Sequence, residues 1–403
     1  MIHRRHVLYV EGYDPQGATG YYGLFKGAVR RFQRSWPLKP DVGPLEIDSE
    51  ALAHWTVDLS GPNWKVATRY EFLRQEQIIG ANIAQPMWRQ LPRSLFWIGA
   101  GALTGWLPRV FRAGWRFGTH LLYFQLMLLL WIAVSIGAGW IVAAVARHFA
   151  GFSALVEFLV AVVVAVGVFA ALRPLLDRWH VTQITNHWPI LREFARGDAT
   201  CFDRPIDDGA QRLIAAARAN EADEIVVIGH SGGGVIAPAV VARALELDPD
   251  LGRHGPPVVL LTLGSIMPAV ALYAQASRMH AIVRRLATEP SITWIDSQSR
   301  KDVMNFWNFD PVDGTGVKLD APRHNPMIWQ VRFKEMVSPE FYKRLRLSFF
   351  RLHYQFILGG DRRAPYDYVM LTCGPLPATA WAKDADAALA SFAPDGTLDE
   401  AAA

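Results

Sequence analysis

The sequence predicts an α/β protein, a mostly parallel sheet with crossover helices, carrying an inserted two-helix transmembrane hairpin. Three observations predict it. Short apolar, strand-like runs alternate with amphipathic helical stretches at both ends of the chain. Two neighbouring runs in the middle are each long and apolar enough to cross a bilayer. One strand-like run leads straight through Gly-x-Ser-x-Gly into a helical pattern.

Composition bounds the possibilities. Of 403 residues, 51% are apolar and 19% charged, more apolar and less charged than an ordinary soluble enzyme. The formal charge of +4 is small, and no run of five to eight basic residues occurs, which argues against nucleic acid and leaves anionic lipid headgroups as the better partner. Cys201 and Cys373 stand far apart, outside any Cys-x-x-Cys or Cys/His cluster, so neither a disulfide framework nor a metal site is expected. The catalytic part fits a reducing compartment. Val7–Val10 is too short for the apolar core of a removable targeting segment.

His6–Val10 reads as a short buried strand ended by Gly12 and Pro15. Residues 1–90 are expected to form the N-terminal part of a catalytic domain, with this first strand and the loop after it. Residues 91–180 form the membrane insertion. Within it, 94–110, around the Gly-rich stretch Ser94–Pro108, is short for a span and is expected to lie on the bilayer surface. Residues 121–146 then run 26 positions without a charge, against the roughly 20 needed to cross about 30 Å of hydrocarbon. A second span, 149–172, is apolar except for Glu157, which is expected to reach the interface, and Arg173-Pro174 stops it. Eight of the 15 tryptophans (Trp88, Trp97, Trp106, Trp115, Trp131, Trp140, Trp179, Trp188) bracket the insertion, at headgroup level or in ordinary core. Basic residues Arg109, Arg112, Arg116, Arg173, Arg178 and Arg192 flank the spans, against Arg147 in the connecting turn, which puts the catalytic part in the cytoplasm.

Residues 181–376 are expected to be the catalytic core. A helix over 207–221 is followed by strands Glu224–Ile228, Pro257–Leu263, Ile292–Ile295 and Ile328–Phe333, with helices Val235–Leu247 and Ala269–Leu286 between them. The Ala-, Asp- and Gly-rich tail, 377–403, reads as loosely ordered.

The motif that carries chemistry is Glu224-Ile-Val-Val-Ile-Gly229-His230-Ser231-Gly232-Gly233-Gly234. A sharp strand-to-helix turn exposes the serine hydroxyl, and glycines two before and two after it let neighbouring backbone approach. The helix offers its positive end, and the N–H of Gly232, to a developing oxyanion. Gly232-x-Gly234-x-x-Ala237 also fits a dinucleotide fingerprint, but the following strand ends without the acidic residue that fold needs. A Walker loop would need Gly-Lys-Ser/Thr, which is absent.

On the Gly-His-Ser-Gly-Gly-Gly elbow, on Val10-Glu11-Gly12-Tyr13-Asp14-Pro15, on Leu263-Gly264-Ser265 and on the late Asp and His segments, the chain resembles the α/β-hydrolase superfamily. As a whole it is similar to bacterial membrane-anchored esterase or lipase-like serine hydrolases. The resemblance covers residues 1–15 and most of 200–376, and the insertion departs from it. It implies Ser231 as nucleophile and a triad in the order Ser, Asp, His. It implies a histidine after the last strand, His353, with His324 as the alternative. The acid is Asp302, one short turn past a strand, or Asp310 in Asp-Pro-Val. The second oxyanion donor falls in the loop after the first strand, at Gly12 or Tyr13. His230 receives no role. The implied activity is hydrolysis of a lipid or acyl ester without cofactor or metal. An acyltransferase with the same triad, or a silent hydrolase fold serving as a membrane scaffold, are the rivals.

Overall fold

Strand β1 (Arg4–Val10) buries every residue after Arg4, as a strand covered on both faces must, and this places it at the centre of the sheet. The computed structural model describes residues 1–346 and 348–399. After β1 come α1 (Gly17–Ser35), the two-residue strands β2 (Asp41–Val42) and β3 (Glu46–Ile47), and a hairpin of β4 (Leu52–Ser60) and β5 (Lys65–Leu73). Helices α2 (Glu76–Ile83), α3 (Met87–Leu103) and α4 (Trp106–Ala113) lead into the two longest, α5 (Trp115–Ala150) and α6 (Ala154–Arg178), and α7 (Val181–Arg196) returns to the sheet. Then follow α8 (Asp203–Ala219), β6 (Glu224–His230), α9 (Gly233–Leu247), β7 (Val258–Leu263), α10 (Met267–Ala271), α11 (Ser277–Ala287), β8 (Ile292–Gln298) and β9 (Met327–Gln330). Short helices α12 (Phe333–Met336), α13 (Pro339–Leu345), α14 (Phe349–His353), α15 (Tyr368–Cys373), α16 (Ala378–Lys383) and α17 (Ala385–Ala390) close the chain.

The described strands form one nine-stranded sheet, β2-β4-β5-β1-β6-β7-β8-β9, with β3 on β4. From β5 to β9 every pairing is parallel, and the antiparallel pairings are those that β4 makes with β2, β3 and β5 at one edge. The burial patterns explain the difference. Strands β6 and β7 are buried at every position and lie between two helical layers, whereas β4 alternates buried and exposed, as an outer antiparallel strand does. Leu8, Val10 and Val227 join a core with α7 to α11, while Val7, Tyr9 and Val226 join one with α1 and the C-terminal helices.

Two helices, α5 and α6, are long and apolar enough to cross a membrane. None of the most apolar 18-residue window of α6 is buried, so it is not the core helix of a soluble domain. The two pack closely: a Cβ on Gly139 would stand 2.2 Å from Ala161 O, and Trp131 stacks on Phe169 at 3.9 Å. The connecting turn lies at Gly151–Ser153, past Arg147, which ends up in the last turn of α5, and Glu157 pairs there with Arg147 at 3.1 Å.

The structure corrects the expectations for one helix, the last strand and the tail. The segment 94–110 forms a broken helix pair docked on the sheet's helical layer. Trp97 donates to Tyr273 Oη and Trp106 to Ala269 O, while Trp88, Phe96 and Leu103 stay exposed. The expected helix 269–286 is split in two, and the last strand ends at Gln330. The tail is ordered to Asp399, because Trp381, Phe392 and Leu398 are buried against the α1 layer and the Ala378 N–H donates to Glu224. Residues 400–403 lie outside the described ones.

Candidate active site

In register, Val10 pairs with Gly229, so the segments that follow, Glu11–Asp14 and His230–Gly232, leave the sheet side by side. After β1 the chain turns towards β4 and β5, and after β6 towards β7. Their diverging connections open a crevice at the carboxyl ends of the strands, the place where ligands bind in such sheets.

Ser231 sits on the turn between β6 and α9 at φ +58°, a left-handed conformation that a serine adopts only when its surroundings impose it. They do. Its N–H donates to Leu263 O, and its carbonyl accepts from Gly234 N–H. The flanking glycines make room: a Cβ on Gly229 would stand 2.4 Å from Gly233 O, and one on Gly233 would stand 2.2 Å from Val10 O. Ser231 is partly exposed, between buried neighbours on each side.

His353 ends α14. Its Nδ1 donates to Asp302 Oδ2 at 2.6 Å, and both side chains are buried. Asp302 accepts a second bond at Oδ1 from Met304 N–H, and its carbonyl accepts from Asn305, so the acid is fixed in orientation. His353 Nε2 is buried and makes no hydrogen bond among the described residues. It lines, with Ser231, a cavity of about 430 Å³. An imidazole whose Nδ1–H is engaged by a carboxylate presents its Nε2 lone pair outward.

Of the alternatives, Asp310 accepts from the Val312 and Asp313 N–H groups and pairs with Arg323 at 2.6 Å, the helix-capping and ion-pair fate common for a loop aspartate. His324 is exposed and bonds through its backbone to Ala287. Neither lines the cavity. The His230 ring lies tilted against that of His353, centroids 4.7 Å apart, and His230 bonds to the His353 carbonyl; burial pushes its pKa well below the usual histidine range.

Gly12, Tyr13 and Gly232 meet. A Cβ on Gly12 would stand 3.4 Å from Gly232 N and from Ser231 Cβ, and one on Gly232 would stand 3.0 Å from Tyr13 N. Neither the Tyr13 nor the Gly232 N–H donates to an acceptor among the described residues. Beneath this loop Glu11 is buried, accepts from Gln75 N–H at 2.5 Å and lies beside Glu76; burial first, and that neighbour, push its pKa well up.

Much of the rest of the cavity comes from residues not singled out in the sequence. Phe117 and His120 stand on the first turns of α5, and Gln183, Ile184 and His187 on one face of α7, with His180 just before it, so the roots of the apolar hairpin wall the site. The spacing of these last four, i, i+3, i+4, i+7, is the one sequence signal they carry. Tyr354 also lines it and donates to Asp14. No Lys or Arg is among the described residues that line it. Among the described residues no group of three His, Cys, Asp or Glu side chains could hold a metal ion. Comparison with protein-family models, with curated proteins and with solved structures finds no match to the chain.

Proposed function

We propose that the chain is a membrane-anchored serine hydrolase of the α/β-hydrolase type that cleaves a lipid or acyl ester through an acyl-enzyme intermediate. The observation that carries this reading is the Asp302–His353 pair, 2.6 Å apart, whose free Nε2 shares a cavity with the strained Ser231. His353 Nε2 takes the Ser231 proton as Oγ attacks the ester carbonyl, and the Tyr13 and Gly232 amides hold the resulting oxyanion. The intermediate collapses, the C–O bond to the alcohol breaks, and the alcohol leaves with the proton from His353. Water, deprotonated by the same nitrogen, then releases the acid and restores Ser231.

The apolar hairpin supports a substrate drawn from the bilayer, because residues at its roots wall the cavity. The absence of Lys and Arg from the described lining favours an uncharged ester over a phosphate-bearing one. The catalytic part is assigned to the cytoplasm by the basic residues at the hairpin's roots, Arg109, Arg112, Arg116, Arg173, Arg178 and Arg192, against Arg147 at its tip.

The test uses protein in lipid nanodiscs with p-nitrophenyl esters. A burst of p-nitrophenol stoichiometric with enzyme, followed by slower turnover and abolished in Ser231→Ala, is expected. Equal rates in Ser231→Ala would overturn the proposal.

A further inference from the structure

Tyr13 is held from three directions. Its phenol donates to Asn82 Oδ1 at 2.5 Å, its carbonyl accepts from Gln183 Nε2 at 3.2 Å, and its ring stacks on His187 with centroids 4.2 Å apart and planes 19° from parallel. Gln183 and His187 are four residues apart and share one face of α7. Helix α7 starts at Val181, directly after α6 ends at Arg178, so this face is the stem of the apolar hairpin. The position a Cβ on Gly232 would occupy lies 3.0 Å from Tyr13 N and 3.4 Å from His187 Cε1 and Nε2, which puts the stacked pair against the loop that follows Ser231.

On the hydrolase reading above, we propose that Gln183 and His187 are positioning residues that hold the Tyr13 amide where the oxyanion develops, making the stem of the hairpin part of the catalytic apparatus. A backbone amide is useful to an oxyanion only when it is fixed before the charge forms, and the loop Gly12–Tyr13–Asp14 has no regular structure to fix it. Helix α7 supplies that rigidity through the carbonyl and the ring of Tyr13. Burial lowers the His187 pKa to about 3, so near neutral pH the ring is uncharged and contributes by packing.

Nanodisc-embedded protein carrying Gln183→Ala, His187→Ala, both, or His187→Phe tests this. Active sites are counted with a fluorophosphonate, and kcat per counted site and KM are measured on p-nitrophenyl butyrate. Loss of one oxyanion donor costs on the order of 10² to 10³ in kcat, and loosening one is expected to cost about tenfold or more. The double variant should lose about tenfold or more in kcat per site with KM within about twofold, while His187→Phe, which keeps a flat ring on Tyr13, should restore most of it. A merely structural role would lower the number of labelled sites and leave kcat per site unchanged, and that result overturns the proposal. So does a His187→Phe enzyme as slow as His187→Ala. Wild-type protein that never labels at Ser231 overturns the hydrolase reading and this proposal together, which separates the two failures.

Discussion

Asp302 and His353, 51 residues apart in the chain, meet at 2.6 Å, whereas Asp310, further along the same loop as Asp302, turns to Arg323. The two aspartates therefore make opposite predictions. Asp302→Ala should lower kcat by roughly 10³ to 10⁴, since the imidazole loses both its tautomer and its orientation. Asp310→Ala should leave kcat within about threefold and cost about 1 kcal/mol of stability through its lost capping bonds. Steady-state kinetics and thermal melts of both variants decide it. A slow Asp310→Ala enzyme beside a fast Asp302→Ala enzyme would reverse the assignment.

His324 provides the companion comparison. It is exposed and outside the cavity, so His324→Ala should keep near wild-type turnover, while His353→Ala should lose about as much as Ser231→Ala because triad members act as a unit.

Glu11 gives a pH dependence. Its folded pKa is raised, chiefly by burial, so between its ordinary value and the raised one the folded state binds a proton that the unfolded state has lost. The stabilisation is complete below the ordinary carboxylate value and is lost as pH rises towards the folded pKa. Glu11→Gln keeps an acceptor for Gln75 N–H without the titration. The Tm of Glu11→Gln should thus gain on wild type as pH rises above the ordinary carboxylate value, measured by thermal melts across pH 5 to 8. A constant difference across that range would show that Glu11 is not held protonated.

The C-terminal segment is structural. Trp381, Phe392 and Leu398 are buried, each contributing about 1.5 to 3 kcal/mol by burial, and Ala378 N–H satisfies Glu224 within its buried pair with Arg5. Against a net stability of about 5 to 15 kcal/mol, a chain stopped after Pro377 should fail to accumulate in folded form, read by limited proteolysis. A stable truncated protein would contradict the packing.

Parts of this were legible in sequence for definite reasons. Ile225–Ile228 is an unbroken apolar run that leads into Gly-x-Ser-x-Gly, and local sterics leave such a segment few alternatives. The two apolar helices follow from length alone. The order of the tail was not legible, because Ala and Asp composition says nothing of Trp381 and Phe392 stacking near Trp36 and Trp64 from the far end of the chain. Asp302 and Asp310 share one loop, and only the return of α14 brings His353 to one of them, Asp302. Gln183 and His187 were hidden because a cavity-facing helical stripe has the same period as a core-facing one.

Membrane topology has its own test. Strands β1 and β6 pair, so the segments before and after the hairpin share one sheet and the number of crossings between them is even. In a chain with Cys201 and Cys373 replaced, a cysteine at His148 should react with an impermeant thiol reagent on intact cells, and one at Asp207 should not. Reaction at 207 alone would invert the orientation, and reaction at both would exclude the two-span arrangement.

The central claim, that Ser231 is an activated nucleophile, is tested most directly by mass spectrometry of the fluorophosphonate-treated protein in membranes. The account predicts one adduct, on the peptide containing Ser231, absent from Ser231→Ala and strongly slowed in His353→Ala. An unmodified Ser231 peptide in the wild type, or equal labelling of Ser231→Ala, would contradict it.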